Sequence, residues 1–146
     1  MSIWWSLHVR RDAASVPLAR RLLLGTMETA GVDPEISFDL SLALSEACAN
    51  AVEHGGPVGS AECGEYRVTA FLDEDRCRIE VTDSGPGFPP RAVGRSGADL
   101  AECGRGLSLI EELADQVRFR NRPGRGAVVS FERCLVRREH SAALSV

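Results

Sequence analysis

Apolar positions in the first half of the chain begin with a short extended segment and then follow a helical period. Residues 3–9 are rich in apolar side chains and end at a charged run, which predicts a short first strand. Apolar residues then recur three or four positions apart, which predicts a helix. Ser15 can cap this helix, Pro17 fits its first turn, and Gly31 suits its end. Its expected core positions are Leu18, Leu22, Leu23, Met27 and Ala30.

A second helix is predicted from about Pro34 to Val52 or Glu53. Apolar residues keep helical spacing through this stretch, and Gly55-Gly56-Pro57 is a strong terminator. Its expected core positions are Phe38, Leu40, Leu44, Cys48 and Val52. The polar residues that follow, up to residue 64, are predicted to form a loop.

The second half of the chain switches to a period of two. Alternating apolar residues lie on both sides of Asp73-Glu74-Asp75, so this segment is predicted to be a hairpin. Its inward positions are Tyr66, Val68, Ala70, Leu72, Cys77, Ile79 and Val81. Residues 84–103 are rich in glycine and proline, and so long an irregular stretch is typical of a functional lid or a disordered loop. A helix from about Gly106 to Leu113 and a last hairpin from Val117 to Cys134 complete the pattern.

This order of elements predicts the fold class. We expect an α/β (α+β) two-layer sandwich, in which a mostly antiparallel mixed sheet is covered on one face by three helices. Residues 1–136 are predicted to form a single domain, and residues 137–146 a frayed polar tail.

Composition and charge narrow the classes of function. The chain of 146 residues is 44% hydrophobic and 26% charged, which is ordinary for one globular domain. Its net charge of −4 argues against nucleic acid as a direct ligand. The densest basic group is Arg118, Arg120, Arg122 and Arg125, which a solvated hairpin explains as well as a binding patch does.

Cysteine spacing and the N-terminus bear on location. The five cysteines lack any C-x-x-C pair, which favours free thiols in a reducing cytosol over a zinc site. The first residues do not form a signal peptide, and no apolar run reaches the roughly 20 residues that a membrane span needs. We therefore expect a cytoplasmic protein.

Three polar residues fall on one stripe of the second helix. Glu46, Asn50 and His54 are spaced i, i+4, i+8 in an otherwise apolar setting. The side-chain oxygen of an asparagine is a suitable ligand for Mg²⁺, and a carboxylate one turn away could orient or deprotonate a hydroxyl or a water. A plain solvated face, with a histidine near the helix dipole, is the alternative.

A second candidate follows the strand that ends near Thr82. Asp83 continues the inward parity of that strand, so its carboxylate is expected to be buried and partnered. An ionised aspartate only accepts hydrogen bonds, so the exocyclic amino group of adenine is one fitting donor. Gly85 and Gly87 would let the backbone turn sharply and approach a flat ring. The alternative is an ordinary glycine-rich turn capped by the aspartate.

A third candidate opens the third helix. Free N–H groups at Gly104-Arg105-Gly106-Leu107 would attract phosphate, and Arg105 or Arg95 could supply a fork to phosphate oxygens. The alternative is a simple turn from loop to helix. Because all three candidates occur in one chain, each on a suitable element, they indicate a nucleotide pocket.

These motifs resemble those of the Bergerat-fold (GHKL) ATPases, the superfamily of gyrase, Hsp90, histidine kinases and MutL. Residues 46–55 look like its N box, residues 83–88 match its first glycine box, and residues 104–110 match its second. Within the superfamily the chain is most similar to the anti-sigma-factor serine/threonine kinases of bacterial stress and sporulation switches. The resemblance covers nearly the whole chain.

The resemblance implies a role for each matching position. Asn50 would hold Mg²⁺, Glu46 would act as the catalytic base, and Asp83 would bind the adenine amino group of ATP. Residues 88–103 would be the ATP lid. The other positions expected to contact the nucleotide are His54, Gly85, Gly87, Gly104, Arg105, Gly106 and Leu107. Members of this branch bind a sigma factor, phosphorylate a STAS-type antagonist protein, and in many cases are homodimers.

One departure from the family pattern bears on activity. Ala127 stands where relatives usually have a threonine, so a hydroxyl that would help to hold adenine through water is missing. Such a loss costs about 1 kcal/mol, or a factor of about five in affinity. A catalytically silent regulatory module that acts by protein contacts alone is therefore the second hypothesis.

Two further activities fit the sequence less well. An ATPase of the gyrase or MutL kind needs another domain, and we expect none here. A histidine kinase needs a helix with a phosphoacceptor histidine, and His8, His54 and His140 do not lie in such a helix.

Overall fold

A computed structural model describes residues 2–54, 64–85, 107–122 and 126–135. Its elements, in chain order, are β1 (Ile3–Arg10), α1 (Ser15–Ala30), α2 (Pro34–His54), β2 (Glu65–Leu72), β3 (Arg76–Thr82), α3 (Leu107–Leu113), β4 (Gln116–Arg122) and β5 (Gly126–Cys134). The predicted tail at residues 137–146 lies outside the described residues. No helix in the described part of the chain is long and apolar enough to cross a membrane.

The strands form one five-stranded sheet in the order β1-β2-β3-β5-β4. Each pairing among these strands is antiparallel. The predicted alternation is confirmed, because the inward residues of β2 and β3 are all buried. These side chains join buried residues of the three described helices in one core, so the predicted α+β sandwich is confirmed.

Helix α1 buries part of the predicted face, because Leu23 and Met27 are in the core and Ala30 is half-buried against it, but its packing face is rotated away from Leu18 and Leu22. Its buried residues are Ser15, Ala19, Leu23 and Met27, spaced four apart. Leu18 and Leu22, two of the expected core positions, are 57% and 40% exposed. Apolar residues occur on two sides of this helix, so their spacing fits two rotations, and only packing selects between them.

The start of α1 also differs from the prediction. Ser15 does not cap the helix, because the N-cap residue is Ala14 and makes no side-chain cap hydrogen bond. The Ser15 hydroxyl instead donates to Asp12 O at 2.7 Å and lies 2.6 Å from the Tyr66 hydroxyl. It therefore links α1 to β2 inside the core. Gly31 ends the helix as predicted, in a left-handed conformation with φ 73°.

Helix α2 is the central helix of the layer, since it packs against α1, α3 and β3. Most of its expected core positions are confirmed, but Phe38 is 60% exposed. Arg133 on β5 links the sheet to α2 and α3. Its Nη1 donates to Asp39 Oδ2 on α2 at 2.9 Å and to Leu113 O on α3 at 2.8 Å. The helix that carries the predicted N box is thus held by neighbours on several sides.

Candidate functional site

The three residues of the polar stripe on α2 differ in solvent exposure, and the middle one, Asn50, is the most buried. Asn50 is 5% exposed, whereas Glu46 and His54 are half-buried. His54 is the last residue of the helix and lies 3.7 Å from the Glu53 carboxylate. The stripe is therefore not the plain solvated face of the alternative hypothesis, because its middle member is in the interior.

Asn50 Oδ1 is a buried acceptor that has no hydrogen-bond partner in the part of the chain that the structure describes. An unpaired buried polar atom costs about 1–3 kcal/mol, and native proteins rarely retain one without a reason. A ligand that supplies the missing interaction explains it, and Mg²⁺ fits the chemistry of an amide oxygen.

The rest of a metal shell would come from other groups. Within the described ranges, no cluster of three His, Cys, Asp or Glu side chains could hold a metal ion. Mg²⁺ commonly takes one or two protein oxygens and completes its shell with phosphate oxygens and water. One asparagine oxygen beside a nucleoside triphosphate matches this coordination preference.

The backbone fixes the side chain of Asp83 in one orientation. Asp83 is 7% exposed, and its N–H donates to Ala127 O at 3.0 Å. Its Oδ1 accepts from Gly85 N at 2.9 Å and from Ala127 N at 3.2 Å. The Asp-capped turn is therefore real, and so is the predicted buried carboxylate. Both bonds to the carboxylate end on Oδ1, so Oδ2 is the oxygen suited to a ligand's donor.

Gly126 makes this arrangement possible, although the predicted last hairpin contains it without any role assigned to it. Its φ is +118°, and a Cβ at this position would overlap the backbone oxygen of Asp83 and lie 2.8 Å from Ser84 Cα. Only glycine lets β5 begin so close to Asp83. The signal available in the sequence was a glycine in the last hairpin, directly before Ala127.

Ala127 holds Asp83 through its backbone. Its side chain is 1% exposed, and both its N–H and its carbonyl bond to Asp83. The missing hydroxyl therefore leaves the orientation of the carboxylate intact. The backbone contacts that orient Asp83 are therefore retained, and the loss of a contact to adenine stays a prediction from the family resemblance.

The second glycine box reaches the described residues only at its end. Leu107 is the first residue of α3 and is fully buried, and α3 packs against α2. The other predicted residues of the two boxes and the lid lie outside the described residues, and their roles stay predictions: Gly87, Arg95, Gly104, Arg105, Gly106 and the rest of 88–103.

Cavities show where the described residues leave space. A polar cavity of about 190 Å³ lies beside Asp83 and Ser84 at the ends of β2 and β3. A larger cavity of about 620 Å³ lies between α1 and α2 and contains none of the predicted site residues. The larger cavity therefore lies at a different place from the motifs.

The thiols of the core are not reactive groups. Cys48, Cys77 and Cys134 are free. Burial raises the pKa of Cys48 and of Cys77 to about 12. Burial also raises the pKa of Tyr66, with a further contribution from the adjacent Cys48. At neutral pH the side chains of Cys48, Cys77 and Tyr66 are uncharged, so none of them competes with Glu46 as a base or nucleophile.

The basic hairpin is a solvated surface in part. Arg120 is exposed on β4, and its Nη2 lies 3.3 Å from Glu80 Oε1 on β3. Arg122 is half-buried, and its Nε has no hydrogen-bond partner among the described residues.

Comparison with known proteins identifies the family of the chain. Residues 9–132 match the family model described as the histidine kinase-like ATPase domain. The serine-protein kinase RsbW of Bacillus pumilus (strain SAFR-032) is 35% identical over 118 residues, which cover 75% of this chain and 73% of that protein. RsbW of Bacillus subtilis (strain 168) is 33% identical over 118 residues, covering 75% and 72%. RsbW of Listeria monocytogenes serovar 1/2a is 34% identical over 113 residues, covering 71% of each.

Solved structures share the fold. The RsbU and RsbW domains of Rv1364c from Mycobacterium tuberculosis superpose with a TM-score of 0.65 at 23% identity, over 90% of this chain and 32% of that one. The catalytic domain of the histidine kinase ThkA superposes with a TM-score of 0.55 at 16% identity, over 88% and 95%. At these identities the likeness concerns the fold.

Proposed function

Because this chain belongs to the family of histidine kinase-like ATPase domains and is similar over most of its length to RsbW serine-protein kinases, we propose that it is an ATP-dependent serine/threonine protein kinase. The observation that carries the proposal is the buried Oδ1 of Asn50, which has no hydrogen-bond partner among the described residues. It lies one helical turn after the half-buried Glu46, on the helix that packs against β3 and α3. A ligand for a cation and a general base thus lie one turn apart on the same helix.

Adenine recognition falls to Asp83. The amides of Gly85 and Ala127 hold Oδ1, so Oδ2 accepts the exocyclic amino group of the base. A buried, pre-oriented acceptor selects a ligand that donates at this position over one that does not.

Phosphoryl transfer relies on positioning and charge neutralisation. Asn50 would hold Mg²⁺, which when bound supplies positive charge to the phosphates. Glu46 accepts the proton of a serine or threonine hydroxyl as that oxygen bonds to the γ-phosphorus. The bond from the γ-phosphorus to the β–γ bridging oxygen breaks, and ADP leaves.

The remaining nucleotide contacts complete the proposal. His54, Gly85 and Leu107, together with the glycine-box residues Gly87, Gly104, Arg105 and Gly106, would surround the nucleotide, and residues 88–103 would cover it. Residues 1–136 would act as one catalytic domain.

The partners follow from the branch that the motifs resemble. We propose that the chain sequesters a sigma factor and phosphorylates a STAS-type antagonist, acting in the cytoplasm and without direct contact to nucleic acid. A homodimer is part of this proposal. Trp4 and Phe71 are register partners on the sheet and are 65% and 40% exposed, which supports a protein contact there. Light scattering of the purified chain tests the assembly.

Glu46→Gln tests the kinase proposal. We expect the variant to bind Mg-ATP within about twofold of the wild type, and to transfer phosphate to the STAS-type partner at least about 100-fold more slowly, because a general base contributes roughly 10²–10⁴ in rate. Glu35→Gln, in the exposed first turn of the same helix, is the matched control. Full transfer by Glu46→Gln would remove Glu46 from the mechanism.

A silent regulatory module is the second candidate, because Ala127 lacks the hydroxyl that the family pattern leads us to expect at this position. The same assay separates the two functions. A wild type that binds Mg-ATP and sequesters the sigma factor, yet forms no phosphoprotein, would favour the silent module.

A further inference from the structure

Arg11, in the turn after β1, contacts the end of the helix that carries Asn50. Its Nη2 donates to Val52 O at 2.7 Å, and its Nε donates to Ala51 O at 3.2 Å. The last four carbonyls of a helix have no acceptor role within it, and these two belong to that group in α2. One planar guanidinium therefore caps two adjacent carbonyls with two parallel donors.

Arg11 is itself held in place by its own backbone. Its N–H donates to Gly64 O at 2.8 Å, directly before β2. The next residue, Asp12, closes a turn, because its Oδ1 accepts from Ala14 N at 2.9 Å and its carbonyl accepts from Ser15 N at 2.9 Å. Ser15 in turn bonds to the buried Tyr66 hydroxyl. The arginine thus projects from a turn that is tied to the sheet.

The capped carbonyls directly follow Asn50 in the chain. The residues after them, Glu53 and His54, are the last two of the helix. A cation at a helix C-terminus is favoured by the helix dipole, and the half-buried position of Arg11 limits screening by solvent. Loss of these two hydrogen bonds would weaken the last turn of α2, which carries Asn50, because fraying is concentrated at helix ends.

We propose that Arg11 is a positioning residue for the phosphate end of the site, which fixes the last turn of α2 so that Asn50 Oδ1 is held ready for its cation. The inference rests on the proposed function, because the role of Asn50 as a Mg²⁺ ligand comes from there. Arg11 touches neither nucleotide nor metal, and it acts through the backbone of Ala51 and Val52.

Hydrogen exchange on the unliganded protein tests directly whether Arg11 stabilises the last turn of α2. We expect Arg11→Ala to raise exchange of the amides at 50–54 about tenfold while the amides of β2 and β3 keep their rates. Arg11→Lys should fall between the two, because it retains the charge and one donor but not the fork. Arg10→Ala, which removes an exposed arginine next in the chain, should match the wild type.

Mg²⁺ titrations at fixed ATP test the functional half. Arg11→Ala should raise the Mg²⁺ concentration for half-saturation about tenfold while adenosine binding, which depends on Asp83, changes less than about twofold. A variant that was merely less stable would weaken both ligands together. Arg11→Lys should restore part of the Mg²⁺ response.

Each outcome bears on one idea. Wild-type exchange at 50–54 in Arg11→Ala, or an unchanged Mg²⁺ requirement, would overturn the inference. Failure of the wild type to bind Mg-ATP at all would instead overturn the proposed function. The exchange comparison would still show whether Arg11 stabilises the last turn of α2.

Discussion

Gly126 and Asp83 show how a single residue type can place a carboxylate. The positive φ of Gly126 brings the first residues of β5 against the backbone of Asp83, and Ala127 then bonds to Asp83 from both its N–H and its carbonyl. A side chain at position 126 would meet backbone atoms that cannot rotate away. The orientation of the candidate adenine ligand thus depends on the absence of a Cβ one strand away.

Gly126→Ala should destabilise the protein by about 2 kcal/mol or more, because both the backbone conformation and the overlap with Asp83 oppose the substitution. Urea unfolding measures the change. Gly25→Ala is the matched control, since its Cβ would meet nothing within 4 Å on the exposed side of α1, and it should be neutral or stabilising by up to about 1 kcal/mol. Equal stability of the two variants would contradict this account of the 83–126 contact.

At the scale of elements, what could be predicted depended on how many faces carried apolar residues. In β2 and β3 the apolar residues fall on one parity, with Phe71 the exception, so the buried face followed from the sequence alone. In α1 leucines occur on two sides, and the face that packs is the one that continues from Ser15 and its bond to Tyr66. That bond spans 51 residues of sequence, so no local pattern could have revealed it.

The turn between β2 and β3 provides an acid-sensitive contact. Asp73 Oδ1 accepts from Asp75 N at 2.8 Å and from Arg76 N at 2.7 Å. These backbone bonds lower the pKa of Asp73 below its usual value of 3.8. A carboxylate whose folded pKa is depressed stabilises the fold above its unfolded pKa, and this contribution is lost as the pH falls through the folded value.

Asp73→Ala should therefore be less stable than the wild type at neutral pH, and the gap should narrow as the pH drops below 3.8. Urea unfolding from pH 7 to pH 2.5 measures the gap. Asp75→Ala, which removes an exposed carboxylate from the same turn, serves as the control. A gap that stayed constant through the acid range would mean that the two bonds do not depend on the charge of Asp73.

For the molecule as a whole, the core is one cluster that spans both layers. Cys48 on α2 and Cys77 on β3 belong to it, and both are fully buried. Because burial raises their pKa to about 12 from 9.0, the thiolate population falls about 1000-fold at pH 8. A raised folded pKa also means that their contribution to stability is present below pH 9.0 and is lost as the pH rises toward 12.

Alkylation at pH 8 should therefore label the exposed Cys134 at least about 100-fold faster than Cys48 or Cys77. Mass spectrometry of digested protein gives the rates at each position. In increasing urea the two buried thiols should become reactive together, since they report unfolding of the same cluster. Labelling of Cys48 in the native state at the rate of Cys134 would show that α2 opens independently.

The sequence predicted the site residues that lie within a recognisable motif. It did not predict the residues that act through backbone contacts to a segment far away in the chain. Asn50 and Asp83 were found from spacing and parity, and both are buried. Gly126 and Arg11 were missed, because each acts on a segment about 40 residues away. Their contributions are contacts between elements, which one-dimensional patterns do not record.

Calorimetric titration of the wild type and of Asp83→Asn with Mg-ATP tests the central claim most directly. The asparagine can still accept from Gly85 and Ala127 through one oxygen, so the variant should fold normally, but it presents a donor to the adenine amino group. We predict Mg²⁺-dependent binding by the wild type and a loss of about 10- to 150-fold in the variant, with Asp75→Asn unchanged. Equal affinity of wild type and Asp83→Asn, or no binding by a folded wild type, would contradict the assignment of a nucleotide pocket at Asp83 and Asn50.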